Sequence, residues 1–210
     1  MTFESCHMNY YLSARNRLLV FPVLLWLAGC ATHIPIYEQV RLDSFQANRE
    51  KLAELESWQL QGRIALSMDK DAWSATLHWT QTDGDYELRL IAPLGRGSFE
   101  LHGDDQGVLL RLAQNQVLQA DDPETLLQDN FGWTVPVSGL TYWIRGIPDP
   151  GAKVTRLLLD ERGRIRAMEQ SGWQVTYIQY SNQGMFELPG RIALANGKLK
   201  LRLVIKTWTL

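Results

Sequence analysis

The sequence predicts a mainly β (α+β) fold in which one long antiparallel sheet curls around an apolar inside. From Trp58 onward, apolar and polar residues alternate with a period of two in many short runs, which is typical of half-buried antiparallel strands. A helical insert at about residues 122–146 interrupts this alternation, which then resumes and runs to residue 208. We expect about eleven strands, and an antiparallel sheet of that length curls or closes rather than lying flat.

The N-terminus has the pattern of a bacterial export signal. Arg15 and Arg17 precede an almost wholly apolar run over residues 18–27, and the sequence Leu-Ala-Gly-Cys follows, ending at Cys30. This order is that of a secretory signal peptide, and the last four residues resemble the lipobox of bacterial lipoproteins. A plain signal anchor is the alternative, but the run is shorter than the ~20 residues that a membrane-spanning helix needs. We therefore expect residues 1–29 to be removed and the Cys30 thiol to be acylated.

Charge and cysteine content restrict the class of protein. Residues 1–29 contain one acidic and two basic side chains, so their removal changes the net charge from −2 to about −3. This near-balance gives no reason to expect nucleic acid as a partner. Cys6 would leave with the signal peptide and Cys30 would be acylated, so no disulfide is expected.

Before the strands, the chain changes from an irregular segment to a helical one. Residues 30–37 have no periodic pattern and are interpreted as a lipidated tether, and residues 38–210 as a single domain. Residues 38–56 have helical periodicity. Their apolar positions are Val40, Leu42, Phe45, Leu52 and Leu55.

The strands are predicted on both sides of the helical insert. They lie at residues 58–66, 73–79, 86–90, 99–101, 108–112 and 117–120, and then at 154–159, 165–169, 173–180, 191–194 and 199–208. Thr82-Asp83-Gly84 and Asn196-Gly197 have the residue types of hairpin turns.

Two short helices are predicted in the insert. Asp122 is a good N-cap, Pro123 suits the first helical position, and the helix should end at Gly132. A second helix should begin at Pro136 and stop at Gly146. The apolar residues that could cover a cavity are Leu126, Leu127, Leu140, Trp143 and Ile144.

Enzymatic motifs are scarce in this sequence. His33, His78 and His102 are far apart, and no pair has the spacing of metal ligands. There is no phosphate-binding Gly-rich loop and no nucleophile elbow. We therefore expect no enzyme activity, no metal site and no cofactor other than the acyl groups on Cys30.

The apolar excess leaves two interpretations of the interior. Seven tryptophans follow the signal peptide, and two apolar helices accompany the apolar sheet face. These groups could fill one another completely, or they could leave a groove that a ligand enters by displacing a helix.

The segment Ala92-Pro93-Leu94-Gly95 has an apolar residue where a turn usually has a polar one. A single exposed leucine normally has no function, and Leu94 could fold back onto a neighbour. On a hairpin tip of a membrane-tethered protein, Leu94 could instead enter the bilayer.

The mature chain resembles the LolB family of outer-membrane lipoprotein receptors. The resemblance covers essentially all of it and depends on the order of several weak motifs together with the lipobox. These motifs are Trp58-x-x-x-Gly62-Arg63, Pro93-Leu94-Gly95, the acidic turn into Leu126-Leu127, Pro136-Val137-x-x-Leu140-x-x-Trp143-Ile144-x-Gly146-x-Pro148, Gly172-Trp173-x-Val175-x-Tyr177 with Tyr180, Leu188-Pro189, and Lys200-Leu201-Arg202-Leu203-x-Ile205-x-x-Trp208.

The resemblance implies an incomplete antiparallel β-barrel with an apolar cavity under a helical lid. It implies a monomer that accepts acylated lipoproteins from the periplasmic carrier LolA and inserts them into the outer membrane without ATP. Cys30 would carry an N-acyl group and an S-diacylglyceryl group. Leu94 matches the family's protruding apolar loop residue, and Ala31 lacks the aspartate of the inner-membrane retention signal. The domain would then lie on the inner leaflet of the outer membrane and face the periplasm.

Two other classes of function remain open from the sequence. The first is a lipid-anchored interaction scaffold of an envelope assembly complex, with a solid core and no cargo cavity. The second is an envelope hydrolase or transferase whose site is assembled from scattered residues. The missing motifs weaken the second.

Overall fold

The structure is a computed structural model, and it describes residues 36–93 and 97–210. Residues 36–210 form one compact unit, and all of the core residues named below lie within it. Its strands are β1 (Trp58–Met68), β2 (Asp71–Thr82), β3 (Asp85–Ile91), β4 (Ser98–Asp104), β5 (Gly107–Arg111), β6 (Val117–Ala120), β7 (Val154–Leu159), β8 (Ile165–Gln170), β9 (Trp173–Gln183), β10 (Phe186–Asn196) and β11 (Leu199–Thr209). Its helices are α1 (Ile36–Ala53), α2 (Pro123–Phe131) and α3 (Val137–Trp143).

The strands form a single sheet that is not closed. Their order is β6-β5-β4-β3-β2-β1-β11-β10-β9-β8-β7, so every neighbouring pair is sequential except β1 and β11. Each pair is antiparallel. The predicted mainly β fold is thereby confirmed, and β6 and β7 are the free edges on either side of the helical insert.

One face of the sheet is apolar and buried, and the other is exposed to solvent. Buried and exposed residues alternate along β1 and along most of β11, because successive side chains of a strand point to opposite faces. Trp58, Trp79 and Trp208 meet on the buried face, where Trp58 lies 5.4 Å from each of the other two ring centroids. Residues of all eleven strands contribute to one core cluster with the helices. A flat sheet of this width could not enclose a single core, so the sheet curls and the core lies on its concave side.

The central pairing of β1 with β11 depends on one glycine. The register shifts between Gln61 and Gly62, which is a β-bulge. A Cβ atom at position 62 would overlap the carbonyl oxygen of Val204 on β11. The bulge bends the strand and increases its twist, so Gly62 contributes to the curl at the middle of the sheet.

Helix α2 has the ends that its sequence predicts. The Asp122 carboxylate accepts hydrogen bonds from the backbone N–H of Thr125 at 2.8 Å and from its hydroxyl at 2.9 Å. Pro123 occupies the first turn, and Gly132 ends the helix with φ of 70°. This is the arrangement expected from an aspartate N-cap and a left-handed glycine at the C-terminus.

Helix α1 begins and ends earlier than the predicted segment 38–56. It starts at Ile36, two residues inside the predicted tether. It stops at Ala53, where the Arg145 side chain binds the carbonyl oxygens of Leu52 and Leu55. Phe45 and Leu52 are buried whereas Val40 is 57% exposed, so the apolar positions of this helix do not all lie on its buried face.

The hairpin of β9 and β10 is longer than predicted. Strand β10 begins at Phe186 rather than at residue 191, and β9 continues to Gln183. Pro189 lies within β10 beside a register shift. Proline is tolerated in a sheet at such a bulge. Pro189 therefore interrupts the alternation of apolar and polar residues in the sequence without ending the strand.

Candidate functional site

The insert residues that were predicted to cover a cavity all point into the concave face of the sheet. Leu126 and Leu127 of α2, Leu140 and Trp143 of α3, and Ile144 immediately after α3 are buried in the main apolar core. The structure thus brings these five residues together. In this conformation, α2 and α3 fill the concave side with their own side chains.

The C-terminal end of α3 is fastened to the sheet by a buried polar network. The indole N–H of Trp143 donates to the Gln170 side-chain oxygen at 2.7 Å, and the Gln170 amide donates to the carbonyls of Asp149 and Ala152, each at 2.8 Å. The Tyr177 hydroxyl donates to the Trp143 carbonyl, also at 2.8 Å. These bonds fix the orientation of Trp143 against β8 and β9.

Arg145 connects α3 to α1 through its buried guanidinium group. It donates to the carbonyls of Leu52 at 3.1 Å, Leu55 at 2.9 Å and Thr141 at 3.1 Å. Its burial lowers the pKa of the guanidinium, although Tyr142 and Glu56 nearby oppose that shift. Because it donates to carbonyl oxygens of both segments, Arg145 holds the end of α1 against α3.

An aromatic cluster lies between the end of α2 and the sheet. Its members are Trp73, Phe99, Phe131 and Trp133, and neighbouring rings are 4.9–6.4 Å apart between centroids. Trp73 follows the β1–β2 turn and Phe99 follows the β3–β4 connection. Since β1 and β3 run in the same direction, both connections lie at one end of the sheet, which we call the loop end.

The predicted membrane-insertion loop belongs to the loop end. Pro93 is exposed, and the backbone N–H of Ala92 donates to the carbonyl of Gly97, which closes the base of the β3–β4 connection. Leu94 and Gly95 lie outside the described residues, as do the lipidation site Cys30 and the sorting residue Ala31.

A groove on the outer face of the sheet lies beside this connection. It has a volume of about 440 Å³. Its walls include Arg63, Ile91, Pro93, Arg202 and Val204.

A second groove lies at the opposite end of the sheet, which we call the helix end because α1 enters β1 there. Its volume is about 500 Å³, and its lining includes Trp58, Gln81, Tyr86, Tyr142 and Arg145. The indole N–H of Trp58, the Gln81 side-chain oxygen and the Tyr86 hydroxyl have no hydrogen-bond partner among the described residues. Burial, together with Glu124 and Asp122, raises the pKa of Tyr86 well above its ordinary value.

The sequence patterns found the apolar part of this site but not its polar part. Gln170, Arg145 and Gln81 were not predicted as functional positions, although all three side chains are buried. A buried polar residue in a strand cannot be distinguished from a wet-face residue without the fold. Within residues 36–93 and 97–210 there is no group of three or more metal-ligating side chains, and no helix long and apolar enough to cross a membrane.

The sequence matches known proteins along most of its length. Residues 56–208 match the family model described as outer membrane lipoprotein LolB. A protein named outer-membrane lipoprotein LolB from Nitrosococcus oceani is 40% identical over 193 residues, which cover 91% of this chain and 96% of that protein. The protein of the same name from Pseudomonas aeruginosa is 39% identical over 193 residues, covering 90% of this chain and 94% of that protein.

Solved structures share the fold at much lower identity. A LolA superfamily protein from Nitrosomonas europaea aligns with a TM-score of 0.52 at 9% identity, over 82% of this chain and 92% of that chain. A DUF1329 family protein from Desulfovibrio piger aligns with a TM-score of 0.51 at 4% identity, over 80% and 92% respectively. The fold likeness agrees with the sequence match, and the chain belongs to the outer membrane lipoprotein LolB family.

Proposed function

We propose that this protein is an outer-membrane lipoprotein receptor that accepts acylated lipoproteins from a periplasmic carrier of the LolA type. One observation carries the proposal: in a member of the LolB family, two short apolar helices pack into the concave, apolar face of an unclosed sheet. An unclosed sheet can widen at its free edges, and α2 and α3 lie in the connection between those edges. Moving the helices would uncover apolar surface on both sides.

An apolar interior of this kind suits the binding of acyl chains. Each methylene group withdrawn from water contributes about 0.8 kcal/mol, so a lipoprotein needs apolar cover at every stage of its transfer. In the cargo-bound state, acyl chains would take the place of contacts that Leu126, Leu127, Leu140, Trp143 and Ile144 now make with the sheet. Displaced helix contacts offset part of the gain, which keeps binding weaker than insertion into a bilayer.

The direction of transfer follows from differences in affinity, with no need for ATP. The receptor must hold cargo more tightly than the carrier does and less tightly than the bilayer does. An apolar interior that is incompletely closed satisfies both conditions. The chain would act as a monomer, and LolA, acylated lipoproteins and membrane lipid would be its partners.

Membrane attachment and cargo release are assigned to different parts of the chain. The acylated Cys30 would hold the domain on the inner leaflet of the outer membrane, facing the periplasm, and Ala31 would permit that delivery. The loop Pro93-Leu94-Gly95 would enter the bilayer during release. Burial of one leucine contributes about 2 kcal/mol, which orients the domain but does not anchor it.

Binding of a fluorescent fatty-acid probe tests the cavity directly. The chain from residue 30 with Cys30→Ala is suitable, because the compact unit 36–210 contains the core. We expect saturable binding of the probe and its displacement by an acylated lipoprotein. A scaffold with a permanently solid core would not bind the probe, and that outcome would refute the receptor function.

A further inference from the structure

The outer, solvent-exposed face of the sheet has a group of basic residues beside the β3–β4 connection. Arg63 lies on β1, Arg191 on β10, and Lys200 and Arg202 on β11, and all four are exposed. We call these four residues the basic patch. Strands β1, β9 and β11 contain no acidic residue at all. The middle of the outer face therefore has positive charge that these strands do not balance.

The strand register holds the residues of the basic patch close together. Arg63 and Arg191 each face Val204, from the two strands that flank β11. Arg202 lies two positions before Val204 on the same face, so it is a diagonal neighbour of both arginines, and such positions are about 7–8 Å apart. Lys200 is the next residue of β11 on that face. Like charges repel at these separations, so the arrangement favours binding of an anion.

The basic patch differs from other exposed cations in having no carboxylate partner. None of its four residues forms an ion pair within the part of the chain that the structure describes. By contrast, Arg89 and Arg111 bind Glu100 at 2.7 and 3.4 Å, and Arg156 binds Glu169 at 3.5 Å. The carboxylates of the flanking strands are thus neutralised by other arginines, and the basic patch remains available to an external anion.

Two residues of the basic patch line the groove beside the β3–β4 connection. Arg63 and Arg202 are in its walls together with Pro93, which belongs to that connection. The groove also exposes apolar surface, because Ile91 is 43% exposed and Val204 is 38% exposed. A surface that combines guanidinium groups with exposed aliphatic side chains suits the boundary between lipid headgroups and acyl chains.

The base of the β3–β4 loop lies level with the basic patch. Ile91 is the last residue of β3, and it pairs with Thr76 on β2. Thr76 in turn pairs with Arg63 on β1, which pairs with Val204 on β11. One row across the sheet therefore joins the start of the loop to the basic patch. A loop that enters a bilayer from this position brings the patch to the depth of the headgroups.

We propose that the basic patch binds the phosphate groups of anionic phospholipids when the β3–β4 loop enters the membrane. The proposal rests on the proposed function, because it needs that loop to contact a bilayer. The planar guanidinium groups match pairs of phosphate oxygens. The concave face, where cargo would arrive from the carrier, lies on the other side of the sheet, which makes an acidic surface of the carrier the less suitable partner.

Flotation with lipid vesicles tests the proposal on the Cys30→Ala chain, which has no acyl anchor of its own. Vesicles of phosphatidylcholine mixed with phosphatidylglycerol are compared with vesicles of phosphatidylcholine alone. We expect the chain to partition onto the anionic vesicles about tenfold more strongly. This preference should disappear at high salt, because screening weakens the attraction between exposed charges and the surface.

A double variant assigns the attraction to the basic patch. Arg63→Gln with Arg202→Gln should weaken binding to the anionic vesicles about twentyfold, or about fivefold for each charge removed, and leave binding to the neutral vesicles unchanged. The matched control is Arg111→Gln with Arg156→Gln, which removes the same charge from β5 and β7. The control should keep most of the preference for anionic vesicles.

Equal losses in the two double variants would show a response to net charge alone and would overturn the proposal. Undiminished binding of the Arg63 and Arg202 variant to anionic vesicles would also overturn it. If that variant instead lost uptake of cargo from the carrier, the patch would be a carrier surface. Binding of the fatty-acid probe is measured separately: a chain that fails to bind the probe refutes the receptor function, while the vesicle comparison still decides the role of the patch.

Discussion

Tyr177, which is buried, and Tyr86, which is half-buried, differ in whether the hydroxyl has a partner. The Tyr177 hydroxyl donates to the Trp143 carbonyl at 2.8 Å, whereas the Tyr86 hydroxyl has no partner in the described part of the chain. Burial raises the pKa of both hydroxyls, so each is protonated at neutral pH. Tyr177 thereby holds α3 to the sheet, and Tyr86 contributes only its ring to the folded state.

Replacing each of these tyrosines by phenylalanine should therefore have different effects on stability. Tyr177→Phe should lower the free energy of unfolding by about 1 kcal/mol, because it removes a buried hydrogen bond to the Trp143 carbonyl, which then keeps only the bond from the Gly146 N–H. Tyr86→Phe should leave that free energy unchanged or raise it, because it removes a buried unpaired oxygen. Urea unfolding of both variants measures the difference, and an equal loss in the two would contradict the hydrogen-bond assignments.

The apolar residues of the site could be predicted from the sequence, but its buried polar residues could not. The apolar side of the site was predicted because leucine and tryptophan at helical spacing imply a buried face. The polar side was not, because its partners are distant in sequence: Gln170 binds Trp143 across 27 positions, and Arg145 binds Leu52 across 93. No local pattern distinguishes a glutamine on the solvent-exposed face of a strand from one whose side chain binds a buried tryptophan.

At the scale of elements, local sequence signals predicted α2 more accurately than α1. The ends of α2 are determined by neighbouring residues, with Asp122 as N-cap and Gly132 as the terminating glycine. At the end of α1, the carbonyls of Leu52 and Leu55 instead bind Arg145, which lies far along the chain. A helix end that depends on a tertiary contact leaves no signal in its own sequence.

The N-cap of α2 gives a prediction about the helical insert. Asp122→Ala should lower the free energy of unfolding by about 1 kcal/mol, because the Thr125 backbone N–H and hydroxyl both lose their acceptor. The neighbouring Asp121→Ala is the matched control and should change stability very little. Denaturant titration of the two variants makes the comparison, and equal stabilities would show that the cap does not hold α2.

The β3–β4 loop gives a prediction about release. Leu94→Glu should leave folding and uptake of cargo from the carrier intact but block release into liposomes, because a charged side chain resists entry into the bilayer. Leu109→Glu is the matched control, since Leu109 is an exposed leucine on β5, away from the loop. Release by Leu94→Glu at the wild-type rate would refute the role of the loop.

At the scale of the whole molecule, periodicity predicted the strands but not the pairing that joins the two halves of the sheet. The eleven predicted strands correspond to β1–β11, and their sequential pairing follows from short turns. The pairing of β1 with β11 joins opposite ends of the chain, and it depends on Gly62, whose close approach to Val204 is visible only in the fold. This pairing makes one curled sheet out of two meanders and gives the molecule its concave face.

Acceptance of cargo from a carrier is the proposed activity on which the assigned roles of the insert and the loop depend. It would require the apolar face, an insert that moves aside and a favourable difference in affinity at once. A scaffold of the same shape would have the sheet without the exchange.

The most direct test mixes the Cys30→Ala chain with purified LolA-type carrier loaded with an acylated lipoprotein, then separates the two proteins and locates the cargo. We predict that most of the lipoprotein moves to this chain without ATP, and that the reverse transfer is much smaller. Cargo that stays on the carrier, with this chain folded and in excess, would contradict the receptor function.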